Sequence, residues 1–315
     1  MRDVALSLVV LIGLVWTIRR PFVGVLLWEW ITLMNPHQLA YGFSRTFQIN
    51  LLVAVVTLFA WLFSKERKTP PIDANLVLLL LFFMWITIDT FQSVDPTSAW
   101  DMWDRVWRLM FFGVLVSMSA TSKVRVHALM LVYAMSLLWY GVKGGGFTLM
   151  TGGVYRVSGP PNSTIGDNNQ LALAILMALP LANYVRLQSA NVWVRRIVLA
   201  AMIFSVISVI GSYSRGAFIA LAGLLGVAWF RSKKKWRYPL VAAAVVIPVL
   251  HFMPQSYFGR IDTISNASED ASFQGRVDAW HVALGYATDH FPFGAGFDGP
   301  QRPEIFHYYE PGHDT

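Results

Sequence analysis

The turn Gly211-Ser-Tyr-Ser214-Arg215-Gly216-Ala217 sets one arginine between two strongly apolar stretches. A guanidinium at membrane depth is costly and marks a functional position by default. At a helix end it can instead snorkel to the headgroups. Its planar fork grips phosphate with two parallel hydrogen bonds, which an ammonium cannot do. Ser212, Ser214 and the flanking glycines, Gly216 among them, leave room for such a ligand. A second arginine, Arg156, lies in a glycine-rich stretch, 141–168, that reads as an outward loop and ends in Asp167-Asn168-Asn169. Asn168 and Asn169 are expected to cap the helix that follows. The positive end of that helix, together with Arg156, would then face an anion. Capping alone explains the asparagines equally well. The stretch lacks the Lys-Ser/Thr of a nucleotide phosphate loop and opens an apolar helix, which excludes a P-loop. Arg260 and Arg276 each follow a glycine, and for either a solvated face and a functional role stand about level. The histidines, at 37, 127, 251, 281, 290, 307 and 313, show no paired metal-ligand spacing. His307 and His313 sit in an aromatic, acidic tail where a metal could bind, but no metal site and no cofactor is expected. With no cysteine in the chain, thiol chemistry is excluded.

The elements that position these arginines are membrane segments. Of 315 residues, 55% are hydrophobic and 14% charged, where a soluble domain carries about 25% charged residues. Mean hydropathy is +0.49. Apolar segments lie near 4–18, 21–34, 49–63, 75–92, 107–120, 124–140, 169–186, 196–212, 216–230 and 237–253. The expected fold is therefore an all-α, polytopic transmembrane helix bundle of about ten spans over 1–253. A large, partly helical outward loop fills 254–315. The connecting loops alternate in charge. Arg19 and Arg20, Lys65 to Lys68, Lys123 and Arg125, Arg186 to Arg196, and Arg231 to Arg237 share one face, holding 15 of the 25 basic residues. The positive-inside rule makes that face cytoplasmic. The net charge of +7 is thus a topology signal, and no nucleic-acid partner is expected. The bilayer is the partner that the composition itself demands.

Residues 93–106, with Trp100 and Trp103, read as an interfacial aromatic belt. In the last loop Phe273, Val277, Trp280, Leu284 and Ala287 recur at helical spacing. An amphipathic helix over Ser272–His290 is expected there, lying on the membrane surface or covering the bundle, with Pro292 and Gly294 ending it.

Several motifs, taken in order, resemble the O-antigen ligase family. They are the turn 212–218, the stretch from Arg156 to Ala172, Gly275-Arg276-Val-Asp-Ala-Trp280 and Pro292-Phe-Gly-Ala-Gly-Phe297. Met1-Arg-Asp3, Arg19-Arg-Pro-Phe-Val-Gly24 and Met34-Asn-Pro-His-Gln38 resemble its exosortase-associated branch of O-glycosylation ligases. The resemblance implies a bacterial inner-membrane glycosyltransferase with a periplasmic site. It would move a glycan from undecaprenyl diphosphate to an acceptor hydroxyl, on a protein or a lipid, with inversion and without a metal. Arg215 and Arg276 match family arginines that hold the diphosphate, and Arg156 matches a third. The family's catalytic histidine falls later in this loop, beyond Thr315, so the sequence reads as cut before its last spans and no base is assigned. A polymerase of lipid-linked units fits the same motifs. A lipid-linked oligosaccharide transporter is the reading from another class. The charges at segment ends and the lack of a repeat count against it.

Overall fold

The structure, a computed structural model, describes residues 2–40, 42–66, 69–70, 72–161, 163–232 and 271–311, with single positions at 236, 243, 246, 247, 254 and 255. The described residues form helices and turns, with no strand among them. In chain order the helices are α1 (Arg2–Arg19), α2 (Pro21–Met34), α3 (Ile49–Phe63), α4 (Ala74–Phe91), α5 (Pro96–Ser119), α6 (Lys123–Met150), α7 (Asn168–Gln188), α8 (Val192–Gly211), α9 (Arg215–Arg231), α10 (Ala271–Asp289) and α11 (Pro303–Tyr309). Four of them, α4, α6, α7 and α8, are long and apolar enough to cross a membrane. Helices α2 and α3 are apolar but shorter. The tenth expected segment, 237–253, lies largely outside the described residues, as does the boundary at 253/254.

The chain divides into two compact units. The first takes residues 1–66 and 120–262, the second 67–119 and 263–315. In the first unit three helices run parallel in one register. Arg125 lies 4.9 Å over the Phe22 ring, Glu29 and Tyr133 interact electrostatically, and Tyr140 Oη donates to the Met34 carbonyl. So α2 and α6 ascend together. Helices α6 and α8 ascend together too, because Gly141 sits on Ser205 and Gly211 on Thr148. Helix α7 descends between them, placing Tyr184 5.6 Å from His127. The Arg125 guanidinium closes a two-pronged pair with Glu66 at 2.6 and 2.5 Å, just past the end of α3. Arg19, Lys65, Lys123 and Arg186 therefore share one end of this unit. The turn 211–215 and the loop 151–167 share the other.

The α6/α8 seam corrects one expectation. Gly144, Gly145 and Gly146 are not in an outward loop; α6 runs on to Met150. A Cβ on Gly145 would fall 2.8 Å from the Phe204 carbonyl carbon and closer still to its oxygen. Glycine here allows two backbones to touch, as small residues do between membrane helices. At 28 residues, α6 is about 42 Å long and outreaches hydrocarbon of about 30 Å.

In the second unit α4 and α5 pair, with Trp103 Nε1 donating to Thr87 Oγ1 at 2.9 Å. The stretch 93–106, expected as an interfacial belt, is mostly the start of α5. Its tryptophans form a ring ladder from Phe91 through Trp100, Trp103 and Trp107. The segment after α10 is fastened to the end of α4. Gly294 N–H donates to Asp89 Oδ1 at 2.7 Å, and Val94 N–H to the Ala295 carbonyl at 3.2 Å. Asp95 meets Arg302 at 3.0 Å.

Candidate functional site

The turn 211–215 begins where α8 runs out of helix. Ser212 Oγ donates back to the Val209 carbonyl at 2.6 Å. Tyr213 then takes the left-handed conformation, φ 59°. That is uncommon outside glycine, and the turn is held from several sides. Tyr213 Oη donates to the Gly153 carbonyl at 2.5 Å. Val157 N–H donates to the Gly211 carbonyl at 2.9 Å. Asn168 Nδ2 donates to the Ser212 carbonyl at 2.8 Å, in a buried position. Three bonds thus weld the 151–167 loop and the start of α7 to the turn that carries Arg215.

Ser214 caps α9, its Oγ accepting from Ala217 N–H at 3.2 Å. Arg215 is the first residue of that helix and half-buried. Gly216 is exposed, and a Cβ there would meet nothing within 4 Å. The start of α9 therefore borders open space at Gly216. Partial positive charge from the helix end and full charge from the side chain add there. Arg156 is exposed, next to Val157, whose N–H is one of the three bonds.

The expected caps of α7 prove otherwise. Asp167, not Asn168 or Asn169, is the cap, accepting from Asn169 N–H at 2.8 Å. Burial pushes its carboxyl up, but the Asn169 backbone and side chain outweigh that and hold it below the usual carboxylate range. An aspartate satisfies the orphan amides of a helix start as well as asparagine does. That frees Asn168 to point inward at Ser212. Sequence reasoning passed over Asp167 and Tyr213. The triplet Asp-Asn-Asn before an apolar run was the available signal for the first.

Arg276 belongs to the second unit, on α10, and is exposed. The helix itself falls where its periodicity put it, Ala271–Asp289. Its face is turned differently. Val282 and Asp278 are buried, whereas Phe273, Trp280 and Leu284 are exposed. His281 Nδ1 meets Glu310 Oε1 at 3.0 Å. His313 lies outside the described residues. Among the described residues, no group of three or more His, Asp or Glu could hold a metal ion.

Residues 1–213 match the model of a family of unknown function, DUF5935. The chain belongs to this family. Its remaining third matches a second model, the O-antigen ligase family, over residues 200–315. This places that region among membrane glycosyl ligases and polymerases, as the motifs around Arg215 and Arg276 suggested. No curated protein and no solved structure matches the chain. The two matches overlap in α8 and the turn, so the DUF5935 region supplies Arg156 and Asn168 and the ligase region Arg215 and Arg276.

Proposed function

We propose that this DUF5935 protein is a glycan ligase acting on a lipid diphosphate. It would take a glycan from undecaprenyl diphosphate and pass it to an acceptor hydroxyl, in the manner of the exosortase-associated O-glycosylation ligases. The carrying observation is the welded turn. It holds a half-buried arginine, an exposed glycine and a capped helix start at the end of the unit opposite the basic loops. That end is the periplasmic one in this reading, with the chain in the bacterial inner membrane.

The acceptor hydroxyl gives up its proton to a general base, and its oxygen attacks the anomeric carbon as the bond from that carbon to the phosphate oxygen breaks. The configuration inverts, and the diphosphate leaves with the bonding pair. The Arg215 guanidinium at the welded turn stabilises the charge that develops on it, the family resemblance gives Arg276 and Arg156 the same role, and no metal is required for that task. Ser214 and Asn168 keep the turn in place, and Gly216 leaves the approach open.

The test is glycan transfer in membranes from an undecaprenyl-diphosphate-linked donor. Arg215→Ala should lower transfer about 10²–10³-fold, the effect of losing one preorganised donor at a developing charge. Arg215→Lys should restore only part of it, because the fork is lost. Full transfer by Arg215→Ala at normal membrane abundance would refute the assignment. Product joined to a second lipid-linked unit, in place of a protein hydroxyl, would make the enzyme a polymerase.

A further inference from the structure

A second polar feature lies away from the arginines, in the seam between α2 and α6. Glu29 stands nine residues into α2 and is only 9% exposed. Its Oε2 has no hydrogen-bond partner among the described residues. Across the seam is Tyr133. Tyr133, Ser136 and Tyr140 recur at i, i+3 and i+7, which is one face of α6. Ser136 is 2% exposed and its Oγ is likewise unpartnered. Further along the same register, Tyr140 Oη is bonded to the Met34 carbonyl. Just past the end of α2, the 3-10 turn Pro36–Leu39 carries His37, whose buried Nδ1 is again without a partner.

Such atoms are rare in folded proteins, and each calls for an explanation. Six such side-chain atoms occur among the described residues; Asn50, Trp61 and Ser208 hold the other three, and the three here lie together on or just past one seam. The parallel register of α2 and α6 puts them in sequence, from Glu29 inside the helix to His37 at the end where the welded turn also lies. A carboxylate with no cation partner is heavily disfavoured in an apolar interior, whereas the neutral acid can both donate and accept. Water meets the needs of the hydroxyls and the imidazole, with two to four polar partners to hold it.

We propose that the α2–α6 seam is a polar track that binds water and a proton, with Glu29 as its acid and His37 at its outward mouth. The proton passes from the Glu29 carboxylic acid to a water of the track, leaving the carboxylate, and returns the same way. The assignment does not rest on the transfer reaction.

Two measurements on the wild-type protein in native membranes test it, and neither reads glycan transfer. An apolar carbodiimide, dicyclohexylcarbodiimide, should leave an adduct on Glu29 that mass spectrometry locates. Radiolytic hydroxyl-radical footprinting should oxidise Tyr133 several-fold faster than Met135, its more exposed neighbour on α6. Glu29→Leu should bring Tyr133 down to the Met135 rate. Absence of the Glu29 adduct, or a Tyr133 rate no higher than that of Met135, would overturn the proposal.

Discussion

Two adjacent glycines in α6 make a controlled experiment on the seam that holds the arginine-bearing turn. A Cβ on Gly145 would lie 2.8 Å from the Phe204 carbonyl carbon and 3.0 Å from its Cα, both backbone atoms of α8. Ordinary contact begins at 3.4 Å, and a backbone cannot rotate away as a side chain can. A Cβ on Gly146 meets nothing within 4 Å. Alanine in either place gains up to about 1 kcal/mol of helix propensity over glycine. At Gly145 the gain is opposed by overpacking of about 1–3 kcal/mol. Gly145→Ala should therefore be less stable than Gly146→Ala by about 1–3 kcal/mol. For a unit of roughly 200 residues that is a difference of about 2–12 °C in Tm. The assay is thermal unfolding of both variants in one detergent, followed by loss of the monodisperse peak. Equal midpoints would refute the direct backbone contact of α6 and α8.

Asn168→Ala leaves the buried Ser212 carbonyl unpaired and should cost about 1–3 kcal/mol, read as a lower Tm with transfer impaired although every arginine remains. Asp167→Ala removes the cap of α7 and should cost about 0.5–2 kcal/mol, restored largely by Asp167→Asn in the same thermal assay. The Arg125 hydrogen bonds hold the Glu66 carboxyl below its ordinary value. The pair's contribution is complete above the usual carboxylate range and fades as pH falls through the lowered value. Wild type should thus be more stable than Glu66→Gln at pH 7 by about 1 kcal/mol, and the gap should close below about pH 4. Glycan transfer should survive excess EDTA; activity lost to chelation and regained with Mg²⁺ or Mn²⁺ would contradict metal-free transfer.

Much of the frame was legible in the residues. Charged loops bracket the apolar runs, so 21–34 and 49–63 coincide with α2 and α3. The alternation of those loops is reproduced in the first unit by the contacts of Arg125 with Phe22 and Glu66. Glycine was the ambiguous letter. Gly144 to Gly146 signal a turn in isolation, yet the companions of Gly141, Gly145 and Thr148 are Ser205, Phe204 and Gly211 on another helix. Only the pairing distinguishes the two meanings. The 4-3-4-3 spacing of α10 found a helix but not its buried side, because an apolar stripe has the same spacing whether it is covered by protein or left exposed. For the arginines, type and neighbourhood were legible in Gly211–Ala217, while the bonds from Gly153, Val157 and Asn168 join positions 44 to 60 residues apart.

The welded turn also bears on how the two family regions are related by descent. One ends at Tyr213 and the other begins at position 200, so the border between them crosses α8 and the very residue that reaches back to Gly153. Neither region can be exchanged there with a homologue without separating residues that are bonded to each other. A chimaera joined instead at the short Ser189–Asn191 connection, on the basic side, moves α8 and the turn as one inherited block. The loop 151–167 and Asn168 then become the surface on which compatibility between parents is decided.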